Sequence, residues 1–176
     1  MPENLFLLVG DPSLELQAQV ISQISSQSLP QDSWKNVHNW LLDLIVANTK
    51  KLGDSTVFID CNPSFSGYTE LAMASAERLI VPCSSDGSSA RAINNIGALL
   101  YGIGVNPKHA GATFNSKALN HNVPLPIIHS VILNRSTQYQ DKASKAFGAM
   151  FDEIKRRVKK LKEIYSKGFI SGDINF

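Results

Sequence analysis

With 176 residues, 43% hydrophobic and 18% charged, the chain has the composition of neither a disordered nor a fibrous protein. A globular chain of this length buries roughly 70% of its unfolded surface, enough for a core of its own, and one domain over residues 1–176 is expected. The net charge of +2 is unevenly spread: Asp141 to Lys167 holds nine Lys or Arg against four Asp or Glu, and the remainder carries −3.

No apolar run approaches the roughly 20 residues of a membrane span, and Met1-Pro2-Glu3-Asn4 lacks the basic start of a secretory signal. Two cysteines, Cys61 and Cys83, are too few for a disulfide framework and sit in apolar runs, as reduced thiols do. A soluble cytoplasmic domain that does not bind membranes is the expectation.

In chain order, Leu5 to Val9 reads as a strand ended by the turn residues Gly10-Asp11-Pro12. Ser13 is placed to cap a helix carrying Leu14, Val20, Ile21 and Ile24. After a polar break, Trp34, Val37, Leu41, Leu44 and Ile45 recur at three- and four-residue steps, a second helix that Gly53 stops. Thr56 to Asp60 then has the continuous apolar character of a strand buried on both faces.

Ser66 to Arg78 reads as a helix, Leu79 to Cys83 as a buried strand, and Ser88 or Ser89 as the cap of a helix reaching about Ile103. Gly104 to Pro126 has little periodicity and reads as a long loop. Ile127 to Leu133 is a strong strand. Phe147, Phe151, Ile154, Val158, Leu161 and Tyr165 mark one long helix ended near Gly168, with Phe169 and Ile170 opening a further short strand.

Strands alternating with helices predict an α/β fold: a three-layer, mainly parallel, doubly wound sheet. Ligands of such sheets bind at the carboxyl ends of the strands. Those ends are Asp60 to Ser64, Pro82 to Asp86, and Asn134-Arg135.

Three segments, in order, resemble the ParA/MinD family of deviant-Walker P-loop partition ATPases. Val57-Phe58-Ile59-Asp60-Cys61-Asn62-Pro63-Ser64 resembles the family's Walker B strand and the loop after it. Ala76-Glu77-Arg78-Leu79-Ile80-Val81-Pro82 is similar to its next strand, and Val131-Ile132-Leu133-Asn134-Arg135 to the strand whose final Asn lies beside the nucleotide base. The resemblance covers roughly Leu5 to Tyr165.

It implies a P-loop NTPase-like fold using Mg²⁺ and ATP. Asp60 would be the catalytic Walker B carboxylate, holding a water of the magnesium shell, since Mg²⁺ retains several waters. Pro63 and Ser64 would sit in the γ-phosphate-sensing loop, and Asn134 with Arg135 at the base, where an Asn amide both donates and accepts. The family couples ATP binding to dimerisation and non-specific DNA binding, with hydrolysis stimulated by a ParB-like partner protein.

The departures are equally specific. The family's phosphate cradle, GxxxxGK[ST] with a further signature lysine, does not occur in these 176 residues. Gly111 to Ala118 is the nearest string, without the second glycine or the hydroxyl residue. Leu5 to Val9 matches a family strand well downstream of the cradle, so the P-loop strand is expected to be missing and the chain to be a fragment or a reduced relative. On that reading the chain alone is ATPase-inactive. The alternatives are a reduced non-catalytic interaction module on a ParA-like scaffold, or an unrelated doubly wound binding domain.

Lys155, Arg156, Arg157, Lys159, Lys160 and Lys162 stud the last helix while its apolar stripe faces inward. They are candidate DNA-phosphate contacts, with Arg91 a weaker one. The alternative is a solvated helix face. Ser84 to Ser89 reads also as an anion-binding turn at a helix N-terminus. His38, His109, His121 and His129 have no ligand spacing, so no metal site built from protein ligands alone is expected. Trp34 and Trp40 suit core packing or a partner surface.

Overall fold

A computed structural model describes residues 3–11, 14–26, 32–61, 67–84, 86–134, 138–139, 142–143 and 145–171. The fold is α/β. Its elements are α1 (Leu14–Ser26), α2 (Ser33–Thr49), α3 (Gly67–Ser75), β1 (Arg78–Cys83), α4 (Gly87–Tyr101), α5 (Phe114–Asn120), β2 (Ile127–Leu133), β3 (Gln138–Tyr139), β4 (Lys142–Ala143) and α6 (Lys145–Ile164). Pro107–Ala112 and Ser166–Gly168 form 3-10 turns.

β1 and β2 pair in parallel, from Arg78 opposite Ile127 to Cys83 opposite Leu133. The register shifts between Leu79 and Ile80, whose partners are Ile128 and Ser130. The extra residue is His129, and a bulge of this kind re-aims one side chain. His129 Nδ1 accepts a hydrogen bond from Arg78 Nη1 at 3.1 Å. On its other side β2 bridges to Phe169, and Ile170 N donates to Ile128 O at 3.1 Å. The tail thus joins β2 through a single bridge where the sequence predicts a strand. β3 and β4 form a separate antiparallel pair of two residues each.

The core lies between this parallel pair and the helices on it. α4 and α6 pack together, and Ile93, Leu100, Ile154, Val158, Val131 and Cys83 are essentially solvent-free. Ile154, Val158 and Leu161 of α6 are buried, at the four- and three-residue steps the sequence shows. α4 ends at Gly102, whose φ of 67° is the left-handed geometry of a helix stop. There Gly102 N donates to Ala98 O and Ile103 N to Gly97 O, both at 3.1 Å. Gly168 meets a different demand: a Cβ there would lie 2.5 Å from the Tyr101 ring. Tyr101 in turn donates to Gly168 O at 2.7 Å and stacks on Tyr165 at 4.6 Å, tying α4 to the end of α6.

α1, α2 and α3 form a second packed group. At its centre His38 is fully buried and lies 3.9 Å from the ring of Trp34. Its Nδ1 donates to Trp34 O at 2.8 Å, because a carbonyl only accepts, leaving Nε2 for Glu70 Oε2 at 3.1 Å. This contact joins α2 to α3. His121 stacks on Trp34 at 5.2 Å and Phe114 lies 5.9 Å away, linking the group to α5.

Several expectations need correction. Leu5 to Val9 and Thr56 to Asp60 lie outside any strand. Leu5 to Val9 are 55–75% exposed and Phe58 is 82% exposed. An apolar run becomes a strand only where a neighbour takes up its backbone hydrogen bonds, and among the described residues β1 pairs only with β2. The predicted loop Gly104 to Pro126 instead holds a 3-10 turn and α5. Asn106 caps the turn, its side chain accepting from Lys108 N, and Thr113 caps α5, accepting from Ser116 N at 3.2 Å. Among the described residues no helix is long and apolar enough to cross a membrane.

Candidate functional site

The carboxyl end of the parallel pair is built by the residues following β1 and β2. Asn134 is exposed there, and its N–H donates to Cys83 O at 2.7 Å, extending the ladder by one bond. Cys83 is buried, and burial, with Asp86 adding a smaller push, moves its thiol up to about 11. It is therefore an inert apolar filler at neutral pH, since the thiolate is the reactive form.

The helix N-terminus facing this end supplies its own anion. Asp86 is the N-cap of α4, and its Oδ1 accepts from Ser89 N at 2.7 Å. Ser89 Oγ accepts in turn from Ser84 N at 2.9 Å. The sequence favours Ser88 or Ser89 as the cap; the carboxylate wins because it is charged and faces the positive end of the helix dipole. The anion-binding turn expected at Ser84 to Ser89 is accordingly occupied by an internal carboxylate. Arg91 Nη2 donates to Ser88 Oγ at 3.3 Å and stands beside the same cap.

The Ser89 backbone N–H holds the Asp86 carboxyl below its usual range, and Arg157 then Arg156 do the same to Glu153. Both groups stay ionised in the fold at pH values where a free carboxylate begins to protonate. Their contribution is complete above the ordinary carboxylate pKa and is lost as pH falls through the lowered folded values. Asp86→Ala is expected to lower the thermal midpoint at neutral pH and flatten its decline at acid pH, as thermal melts across that range will show.

Asp60 is exposed in an irregular stretch, and no hydrogen bond joins it to Asn134. Pro63, Ser64 and Arg135 lie outside the described residues.

The basic run on α6 divides by geometry. At about 100° per residue, Lys155, Lys159 and Lys162 fall on one flank of the buried stripe, Arg157 and Lys160 on the other, with Arg156 outermost. On the first flank Lys159 is exposed and the Lys155 ammonium stands 4.7 Å over the Phe151 ring. On the second, Arg157 Nε donates to Glu153 Oε1 at 2.7 Å and its Nη1 to Ala90 O at 3.1 Å, while Arg156 also pairs with Glu153. Arg157 is thus a structural clamp between α6 and α4.

The second flank borders a groove of about 670 Å³ between α4 and α6. It is lined by Asn94, Asn95 and Ala98 on one side and by Arg156, Lys160, Leu161 and Ile164 on the other, with Ile103 at its end. Sequence reasoning misses Asn94, Asn95 and Ile164 as site residues. Their only signal is that they share the α4 and α6 faces next to the buried stripes. Of the histidines, His38, His121 and His129 have the structural contacts described above, and among the described residues no three His, Cys, Asp or Glu side chains cluster as metal ligands would.

Scans of protein-family models, curated proteins and solved structures each returned no match for this chain.

Proposed function

We propose that this chain is a ParA-like, cytoplasmic α/β module of the doubly wound class whose principal activity is sequence-blind DNA binding through α6. The observation that carries the reading is the outward-facing basic flank of α6: Lys159 is exposed, with Lys155 and Lys162 beside it on the same flank, while Ile154, Val158 and Leu161 anchor the helix to the core. Such a surface neutralises phosphates without reading bases. Retardation of a random-sequence duplex on agarose at low salt is the expected result; no retardation sinks the reading.

In this proposal Asp60 descends from a magnesium-side carboxylate, with Pro63, Ser64, Asn134 and Arg135 as remnants of the γ-phosphate and base walls. The phosphate cradle is not among the 176 residues. Charge-assisted hydrogen bonds contribute about 1.5–3 kcal/mol each. Lacking three or four therefore removes roughly 5 kcal/mol or more, above a thousandfold in affinity. Calorimetric titration of the chain alone with Mg·ATP is expected to give no micromolar binding and no hydrolysis; micromolar binding contradicts this part of the reading.

Among the described residues β1 pairs only with β2, and the second edge this leaves favours self-association, because unpaired edges template strand pairing. A compact monomer at high concentration by equilibrium sedimentation would exclude it. A ParB-like partner belongs to the same proposal. The non-catalytic interaction module is the second reading, favoured by the Asp86 carboxylate that already fills the N-terminus of α4.

A further inference from the structure

We infer that the groove between α4 and α6 is a docking site for an acidic amphipathic helix of a partner protein, a role separate from DNA contact by the opposite flank of α6. The floor is apolar: Ala98 and Ile103 from the α4 side, Leu161 and Ile164 from α6. Ile164 is 55% exposed at the end of a helix whose Ile154, Val158 and Leu161 are buried. It adjoins the half-buried Ala98 and Ile103 in the same lining, and a contiguous apolar patch rimmed by polar groups, unlike a lone exposed side chain, marks a contact surface.

Charge selects the occupant. Both oxygens of Glu153 are engaged, by Arg156 and Arg157, so the one acidic group of the lining is neutralised from within. Arg157 is held at Ala90 O. The lining holds three cations, Arg156, Arg157 and Lys160, against that one carboxylate, so its rim stays net cationic, with Arg156 and Lys160 exposed. Asn94 and Asn95, also exposed, face them with amides able to donate and accept.

A phosphodiester backbone would satisfy the rim but leave the apolar floor in water. A purely apolar helix would cover the floor and strand the cations. A helix with an apolar stripe flanked by carboxylates satisfies both, the usual form of helix-in-groove recognition. The volume of about 670 Å³ is that of a ligand-sized site. The α6 lining, from Glu153 to Ile164, extends about 16 Å at 1.5 Å per residue, so an occupant of about 14 residues spans it.

The test is fluorescence anisotropy with the full chain and a fluorescein-labelled synthetic helix of about 14 residues, Leu at i, i+3, i+4 and i+7 and Glu on the flanks. Controls are a scrambled peptide of the same composition and one with Lys replacing Glu. The striped acidic peptide is expected to bind at least about tenfold more tightly than either. Ile164→Asp and Lys160→Glu should each weaken it about tenfold or more, and Lys50→Glu, remote from the lining, should not. Circular dichroism establishes that the variants fold. Equal binding of the scrambled peptide, no binding of the striped one, or insensitivity to Ile164→Asp overturns the proposal. So does duplex DNA binding that is lost in Ile164→Asp while the peptide fails to bind, which would assign the groove to nucleic acid.

Discussion

Ile154→Ala is expected to lower the unfolding free energy by about 2–5 kcal/mol, moving the urea midpoint without changing the slope of the transition. Ile154 is completely buried and belongs to the same cluster as Ile93, Leu100, Val131 and Val158. Its truncation removes contact area and leaves a cavity that the flanking Val158 and Leu161, themselves fixed by packing, do not fill. The consequence reaches function, because Ile154 belongs to the stripe that holds the basic face of α6 outward. A cost under about 1 kcal/mol would be that of a surface substitution and would mean that α6 does not dock on α4 as described.

The second large effect concerns DNA. Replacing Lys155, Lys159 and Lys162 together by Glu is expected to abolish duplex retardation at salt concentrations where the parent chain binds. Each lost phosphate contact lowers the salt dependence by about 0.9 in the log–log slope, so three lower it by roughly 2.7, and three carboxylates then repel the backbone as well. Lys155 also covers the Phe151 ring, so a melting curve must accompany the binding assay. Retardation unchanged by the triple substitution would move the DNA face off this flank of α6.

The legible parts of the fold were those dictated locally. Ile127 to Leu133, apolar and mostly β-branched apart from His129 and Ser130, lies between Pro126 and Asn134, and β2 has those bounds. The α6 stripe was legible because a period near 3.6 persists over twenty residues. Elements that depend on partners were harder to read. Leu5 to Val9 and Thr56 to Asp60 have strand composition, but strand formation also needs a neighbour in register, which composition does not encode. α5 was missed for a different reason: at seven residues it is too short for periodicity, and its evidence is the Thr113 cap alone.

The candidate site divides in the same way. The basic residues of α6 were visible as composition, but their separation into two flanks required the direction of the buried stripe. The clamp role of Arg157 and the groove formed with Asn94 and Asn95 depend on how α4 crosses α6, a tertiary fact. The Asp86 cap is within reach of sequence reasoning, since Asp three residues before Ser89 is an ordinary N-terminal signal, but Ser88 and Ser89 carry the same signal.

The most direct test of sequence-blind polyanion binding is the affinity for one random-sequence duplex measured from 50 to 200 mM salt, a range over which phosphate contacts are resolved. The proposal predicts a linear log–log decline with a slope of about −3 or steeper, the release of counterions from several phosphates. A slope near zero, or no binding at the lowest salt, would contradict it.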